Sequence, residues 1–349
     1  MTIADILLTF ADMPRATASA NVLTGFGALM RSLGADPAQL LRRARIPLSA
    51  LSDPQARLPV TAVARLLEDA AQRFGCPDLG LRLSQARRLS HFGAVGKLAR
   101  DEPDVRHALQ AISAWMYLHS EVSLDLQESE GSVALCAYHG DAVAASSPQV
   151  IDLVAGGIFQ IMRHLCGPQW HPQAVCLAHA APADARSYRR YFGCPVAFDA
   201  DGSALFIAPE DLALPLAEAD PIFRSESERQ LQAWAGLKAR PVEARVRELI
   251  GVMLPSGRCT MANVALRLGL QERTLRRHLD AAGLSFASEL EAARRELARR
   301  YVERSDKSIG AIAGLLGFSE TSAFSRWFRK GFGCGPKAWR ISPSPNRPR

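Results

Sequence analysis

The final third of the chain carries one amphipathic pattern twice, and that duplication limits the fold more than any other feature. In "SIGAIAGLLGFSETSAFSRWFRKGFG", from Ser308 to Gly333, Ile309, Ile312, Ala313 and Leu316 fall at i, i+3, i+4 and i+7, the spacing of one buried helix face. Gly317 stops that helix. A second amphipathic stretch begins four residues later, and its Phe324 and Phe328, at i and i+4, can pack back on the first. The twin is "TMANVALRLGLQERTLRRHLDAAGLSF", where Met261, Val264, Ala265 and Leu268 stand 48 residues before their counterparts and Gly269 follows Leu268. Past the glycine, Leu275 and Leu279 take the places of Phe324 and Phe328 at an offset of 49, so the second turn is one residue longer. Two helices joined at a glycine make a helix-turn-helix, and the pattern predicts two of them. Between the copies, "ELEAARRELARRYVERSDKS" reads as one helix with Leu290, Ala293, Leu297 and Tyr301 on its buried side. Its Glu291/Arg295 and Glu296/Arg300 pairs lie on a solvated, partly paired face.

Charge follows the same division. Residues 240–349 hold 21 of the 42 Lys and Arg but only 10 of the 35 Asp and Glu, a net of +11 against −4 for the remainder. Positive charge concentrated on a small helical domain is the footprint of a polyanion partner. A recognition helix fits the DNA major groove, where the donor and acceptor pattern identifies each base pair. Side chains opposite the packing face would meet the bases. These are Arg273, Thr274, Arg276 and Arg277 on the first recognition helix and Thr321, Ser322, Ser325 and Arg326 on the second. Arg277 and Arg326 occupy equivalent sites. Arg329, Lys330, Lys337 and Arg340 lie at or beyond the end of the second helix, where phosphate contact is expected. Trp327 and Trp339 are expected in the core.

Other chemistries find no support in the residues. The seven cysteines are scattered without a C-x-x-C pair, which suits neither a disulfide framework nor a zinc site, and the eight histidines form no metal-binding motif. No phosphate loop, G-x-S-x-G elbow or spaced carboxylate pair appears, so no catalytic residue, metal or cofactor is expected. No apolar run reaches the roughly 18 residues of a membrane span. The N-terminus lacks a basic region before its short apolar stretch, so a secretory signal is not expected and a cytoplasmic address follows by default.

The closing segment "SIGAIAGLLGFSETSAFSRWFRKGFGCGPKAWR" resembles the C-terminal signature of AraC/XylS-type transcription regulators. Gly317-Phe318, Phe324, Phe328, Phe332-Gly333, Pro336 and Trp339-Arg340 stand in place. "DLGLRLSQ", "HFGAVGKLA", "WHPQAVCLAHAAP" and "YRRYFGCPVAFDADGSALFIAPEDLALPLAEADP" resemble segments of the subgroup with an arabinose-binding-type sensor, which includes the ornithine-utilisation regulators. The resemblance spans about Asn21 to Arg340. It implies two helix-turn-helix units on a linker helix entering successive major grooves about 34 Å apart. It also implies a small-molecule effector, a homodimer formed through the sensor half, an activator's contact with RNA polymerase and double-stranded DNA as partner. Cys334, where a small or branched apolar residue is common, and the extra Arg273 depart from the pattern, so no relative's operator can be transferred.

The first half reads as α+β. "VTAVARLLEDAAQRFG" and "VRHALQAISAWMYL" carry helical stripes through Val63, Leu66, Leu67 and Ala70, and through Val105, Leu109, Ile112 and Met116. "EVSLDLQESEGSVALCAYHG" predicts a hairpin, "VIDLVAGGIFQIMRHLCG" a helix, and "VCLAH" with "VAFDADGSALFI" further strands around a turn at Asp201-Gly202. His91, Trp115, Tyr117, His119 and Tyr138 either line an effector pocket or belong to the core. The expected organisation is a poorly defined segment 1–20, an α+β effector-sensing and dimerisation domain 21–238, an all-α double helix-turn-helix domain 239–340 and a disordered tail 341–349. Two further readings stand beside a sequence-specific regulator: a metabolite-processing enzyme with a DNA-targeting domain, and a sequence-blind architectural DNA binder.

Overall fold

The computed structural model describes residues 17–341 apart from 55, 117–121, 130, 140–145, 217–218, 238–241, 255–258, 269 and 305–306. Ile341, expected to be disordered, ends a helix, while residues 342–349 of the expected tail and most of the N-terminal segment lie outside the described residues. Thr17–Ser19 does not: it forms strand β1 and pairs antiparallel with β2, Arg57–Pro59, a small sheet that periodicity did not predict. Around it lie α1 (Phe26–Ser32), α2 (Pro37–Arg43), α3 (Val60–Arg73) and α4 (Leu79–Ser84). Their apolar faces, among them Phe26, Met30, Leu41, Leu66, Leu67 and Leu79, enclose one core.

Next come α5 (Ala94–Arg100), α6 (Val105–Trp115) and the expected hairpin of β3 (Val122–Ser129) and β4 (Ser132–His139). Then follow α7 (Pro148–Cys166), β5 (Ala174–Cys176), α8 (Arg186–Phe192), β6 (Val196–Ala197), β7 (Ser203–Ile207) and α9 (Pro221–Leu237). Strands β3 to β7 form one sheet in the order β3-β4-β7-β5-β6. The chain does turn near Asp201-Gly202, but the strands on either side are not partners. β7 runs antiparallel to β4 and β5, while β6 pairs parallel with β5 on the far side. A short polar turn predicts reversal of the chain; which strands then become neighbours depends on what the rest of the sheet buries.

Helix α7 joins the two cores of the N-terminal half. Ser147 accepts a hydrogen bond from the Val150 N–H at 3.3 Å and Pro148 opens the first turn, a sound N-terminus. Its Val150 and Leu153 enter the helical core, whereas Ile151, Ile158, Phe159 and Met162 enter the core under the sheet. A helix apolar nearly all round is what such a central position requires. α4 lies directly against it: a Cβ on Gly156 would stand 2.1 Å from Ser84 Oγ, so only glycine allows this approach.

One polar cluster sits inside this packing. Asp152 of α7 is wholly buried; its Oδ1 meets His179 Nε2 at 2.9 Å, and its Oδ2 accepts from the Tyr188 hydroxyl at 2.6 Å. His179 Nδ1 lies 2.9 Å from the Ala180 carbonyl, which can only accept, so both ring nitrogens face acceptors and the imidazole is held as its cation. Burial alone would lower the His179 pKa, but the Asp152 hydrogen bond and charge outweigh it and raise the value above the ordinary one. Burial pushes the Asp152 carboxyl up against those same partners.

The C-terminal helices are α10 (Val242–Met253), α11 (Met261–Arg267), α12 (Glu272–Ala281), α13 (Phe286–Arg304), α14 (Ile309–Leu315), α15 (Thr321–Phe332) and α16 (Pro336–Ile341). Leu231 of α9 joins the core under the sheet, while Val246, Leu249 and Ile250 of α10 join the first helix-turn-helix core. The change of core falls between Leu231 and Val242. The intervals confirm the longer second turn: 268–271 separate α11 from α12, and 316–320 separate α14 from α15. Ser308 caps α14, its Oγ accepting from the Ala311 N–H at 3.1 Å. Gly317, at φ +78°, closes it. The Phe318 N–H reaches the Ala313 carbonyl at 2.9 Å and the Gly317 N–H that of Gly314 at 3.0 Å, so the Gly-Phe pair is a Schellman stop. In the first unit Gly269 is outside the described residues, but the Leu270 N–H makes the corresponding bond to Ala265 at 2.9 Å. Ser308→Ala is expected to lower stability by about 0.5–2 kcal/mol, measured by denaturant unfolding, because it orphans a first-turn N–H; an unchanged midpoint would contradict that role.

Candidate nucleic-acid interface

Helices α12 and α15 present the two expected recognition faces. Leu275 and Leu279 are buried under α12, and Phe324 and Phe328 under α15. Opposite them Arg273, Arg276 and Arg277 are exposed on the first helix and Thr321, Ser322 and Arg326 on the second; Thr274 and Ser325 are half-buried at the edges. Arg273, Arg277 and Arg326 make no side-chain hydrogen bond or ion pair among the described residues. Arg276 leans back toward its own unit, 4.0 Å from the sulfur of Met261. Ser322 donates to Glu320 at 2.9 Å.

The helix between the units sets their relation. Ala293 of α13 enters the first core, and Leu297, Ala298, Tyr301 and Val302 enter the second. Its charged face does more than meet solvent, which corrects the expectation drawn from its charge pattern. Glu291 does pair with Arg295 (3.3 Å) and Glu296 with Arg300 (2.8 Å). Glu291 also accepts from the Trp327 indole at 2.8 Å, and Glu303 from the Trp339 indole at 3.1 Å. Arg294 donates to the Leu316 carbonyl at 3.0 Å, and its guanidinium lies 5.5 Å from the Phe318 ring centre. Three α13 side chains thus hold the stop of α14, the recognition helix and the closing helix. At the other end the buried Glu289 is bound by Arg247 of α10. The tryptophans are core residues with satisfied N–H groups, as expected.

Of the expected phosphate contacts, Arg329, Lys330 and Lys337 are exposed. Arg340 stands apart. It donates to the Val302 carbonyl at 3.1 Å and the Lys307 carbonyl at 2.9 Å, capping the end of α13. The Trp339-Arg340 pair is therefore an anchor, with each side chain tied to the C-terminal turn of α13 or just beyond it. Spacing alone could not tell an arginine that caps a neighbouring helix from one that faces solvent.

In the sensor half, Tyr117 and His119 lie outside the described residues, while His91 and Trp115 are half-buried. The Asp152–His179–Tyr188 cluster is not foreseen by any motif. Its one signal in the sequence is a lone acid inside the apolar run "VIDLVAGGIF". Among the described residues no group of three or more His, Cys, Asp or Glu could hold a metal ion, and no helix is long and apolar enough to cross a membrane.

Residues 34–216, just over half of the chain, match the family described as the arabinose-binding domain of AraC transcription regulator, N-terminal. The chain belongs to the AraC family of transcription regulators. Residues 264–342 match a helix-turn-helix domain. The HTH-type transcriptional regulator VirS of Mycobacterium tuberculosis is 31% identical over 324 residues, spanning 92% of this chain and 95% of that protein. The ornithine utilization regulator of Pseudomonas aeruginosa is 29% identical over 318 residues, spanning 90% and 94%. The crystal structure of the transcriptional regulator CdpR from Pseudomonas aeruginosa aligns with 89% of this chain and 97% of its own at 24% identity and a TM-score of 0.45. As an AraC-family regulator the chain is DNA-binding, with an α+β N-terminal domain of the effector-binding type and a helical domain holding two helix-turn-helix units. The family description names a domain type; it does not make arabinose the ligand here.

Proposed function

We propose that this AraC-family chain is a ligand-responsive, sequence-specific transcription activator that reads two successive major grooves with α12 and α15. The observation that carries the reading is the pair of equivalent helices, each buried on one side and presenting an unpaired arginine on the other, tied to one linker helix. Arg273, Thr274, Arg276 and Arg277, and Thr321, Ser322, Ser325 and Arg326, are the base-reading set. Arg329, Lys330 and Lys337 take phosphates, fixing register without reading sequence, while Arg340 anchors the domain. Residues 21–238 sense a small metabolite and form a homodimer, and residues 239–340 bind double-stranded DNA and bring RNA polymerase to the promoter. The protein works in the cytoplasm, needs no cofactor and catalyses no reaction. Its effector acts by binding one of two states more tightly than the other.

The test is a DNase footprint of the full chain across the DNA flanking its own gene, at fixed salt with random DNA as competitor. A protected stretch along one DNA face is expected. Arg277→Ala and Arg326→Ala should each weaken the specific complex by about 5- to 150-fold, the loss of about 1–3 kcal/mol per bidentate pair with guanine, with little change on random DNA. Lys330→Ala should weaken both complexes alike and reduce the salt slope by about 1. Equal losses for Arg277→Ala on specific and random DNA would move that residue to the phosphate set. Equal affinity of the wild type for all sequences would favour the architectural reading.

A further inference from the structure

The N-terminal half contains a buried cation that no carboxylate among the described residues balances. Arg87, just after α4, is 9% exposed, and its Nε is sealed from solvent without a hydrogen-bond partner. Its stem crosses α7 where Gly157 leaves room; a Cβ at that glycine would stand 4.0 Å from Arg87 Cγ. No carboxylate among the described residues pairs with the guanidinium, and burial alone holds its pKa down at about 10. Four residues on, His91 accepts from the Arg88 backbone N–H at its Nδ1, at 3.2 Å. A neutral His91 therefore carries its proton on Nε2, as a donor. Burial first, then the charges of Arg87, Arg88 and His164, lower the His91 pKa and favour that neutral form. The charged groups acting on this ring are all of one sign.

An uncompensated buried charge is strongly unfavourable, and a protein that keeps one gains when an opposite charge arrives. A guanidinium offers a planar fork that matches a carboxylate or phosphate bidentately. We propose that Arg87, with the Nε2–H of His91, is the anion-holding end of the effector site, and that the effector is a small molecule bearing a carboxylate or phosphate group. The assignment rests on the reading of the N-terminal half as a sensor, and it adds the chemical class of what is sensed. This cluster lies where α4, the turn at Leu89–Phe92 and α7 meet.

The experiment is thermal unfolding of the full-length protein in acetate, benzoate or inorganic phosphate at constant ionic strength, with chloride as reference. At about a hundred times its dissociation constant a bound anion should raise Tm by about 5 °C. The arm that responds distinguishes carboxylate from phosphate. Arg87→Met should erase the increment without lowering the Tm of the anion-free protein, since it removes an unpaired buried charge and keeps the stem. A structural arginine would behave in the opposite way, with a lower starting Tm and an unchanged anion increment. If Arg87→Met does not fold, Arg87→Lys keeps the charge but not the fork, and should reduce the increment. No anion exceeding chloride, or an increment equal in wild type and variant, overturns the proposal. Footprinting with the responding anion separates the two layers: an Arg87-dependent Tm rise with an unaltered footprint rejects the effector role, while a neutral compound that alters wild-type and Arg87→Met footprints equally keeps the sensor and rejects the anion site.

Discussion

Phe328→Ala is expected to cost the C-terminal domain about 3–5 kcal/mol, the range for truncating a buried aromatic, and to remove one half of the footprint. The ring is fully buried; it stacks on Phe332 at 4.3 Å between centres and meets Phe324 at 5.6 Å and Trp339 edge-on at 6.0 Å. Its loss opens a void beneath α15 that this aromatic cluster cannot collapse to fill. Denaturant unfolding followed by tryptophan fluorescence suits the purpose, because Trp327 and Trp339 pack against the same core. Leu279→Ala, in the core of the other unit, should cost about 2–5 kcal/mol and remove the other half of the footprint. The two residues lie in separate clusters, so their losses should add. A cost below about 1 kcal/mol for Phe328→Ala would mean that α15 is not held by this packing.

Asp152→Ala should be as severe, about 3–5 kcal/mol, because it strips both the His179 imidazole and the Tyr188 hydroxyl of their buried partner. The pH dependence gives the sharper check. His179 has a folded pKa above its unfolded value of 6.5, so its contribution is fully present below that value and is lost as pH rises through the folded value. The raised Asp152 carboxyl acts in the same direction, since the folded state again binds the extra proton. The wild type should therefore lose stability as the pH rises above about 6.5. In Asp152→Ala the hydrogen bond and charge that most raise the His179 pKa are gone, leaving burial opposed only by the Ala180 carbonyl and Glu68, so the folded pKa falls and the loss of stability over the same interval should shrink. Thermal unfolding of both proteins between about pH 5.5 and 8.5 decides it, and parallel slopes would show that His179 is not held as a cation by Asp152.

The helical half was legible because its signals are local. A stripe at i, i+3, i+4 and i+7 ending in Gly-Phe specifies a helix, its buried face and a Schellman stop within about ten residues, and the second copy repeats the statement. The face opposite Leu275 and Leu279, or Phe324 and Phe328, follows from the helical period alone. Arg340 shows where such reasoning stops: its spacing placed it near phosphates, while its hydrogen bonds go to carbonyls that no rule of spacing brings close. The face of α13 is a similar case, since Glu291 and Glu303 look like members of surface pairs until Trp327 and Trp339 fold back onto them.

In the sensor half the helices and the β3–β4 hairpin could be read from periodicity, but the order of the sheet could not. A strand's pattern says which face is buried, and it does not say beside which strand it will lie. So β5 comes between β6 and β7 even though a short turn connects those two. By itself, the sequence determined what lies within a helical turn or a tight loop: the duplicated units, their buried stripes, the exposed arginines and the excess of positive charge. Only the tertiary structure decided which polar groups meet across long separations. Arg340 at the end of α13, His179 against Asp152 and Arg87 with no acid beside it depend on desolvation and on partners far along the chain, and neither quantity is written in local spacing.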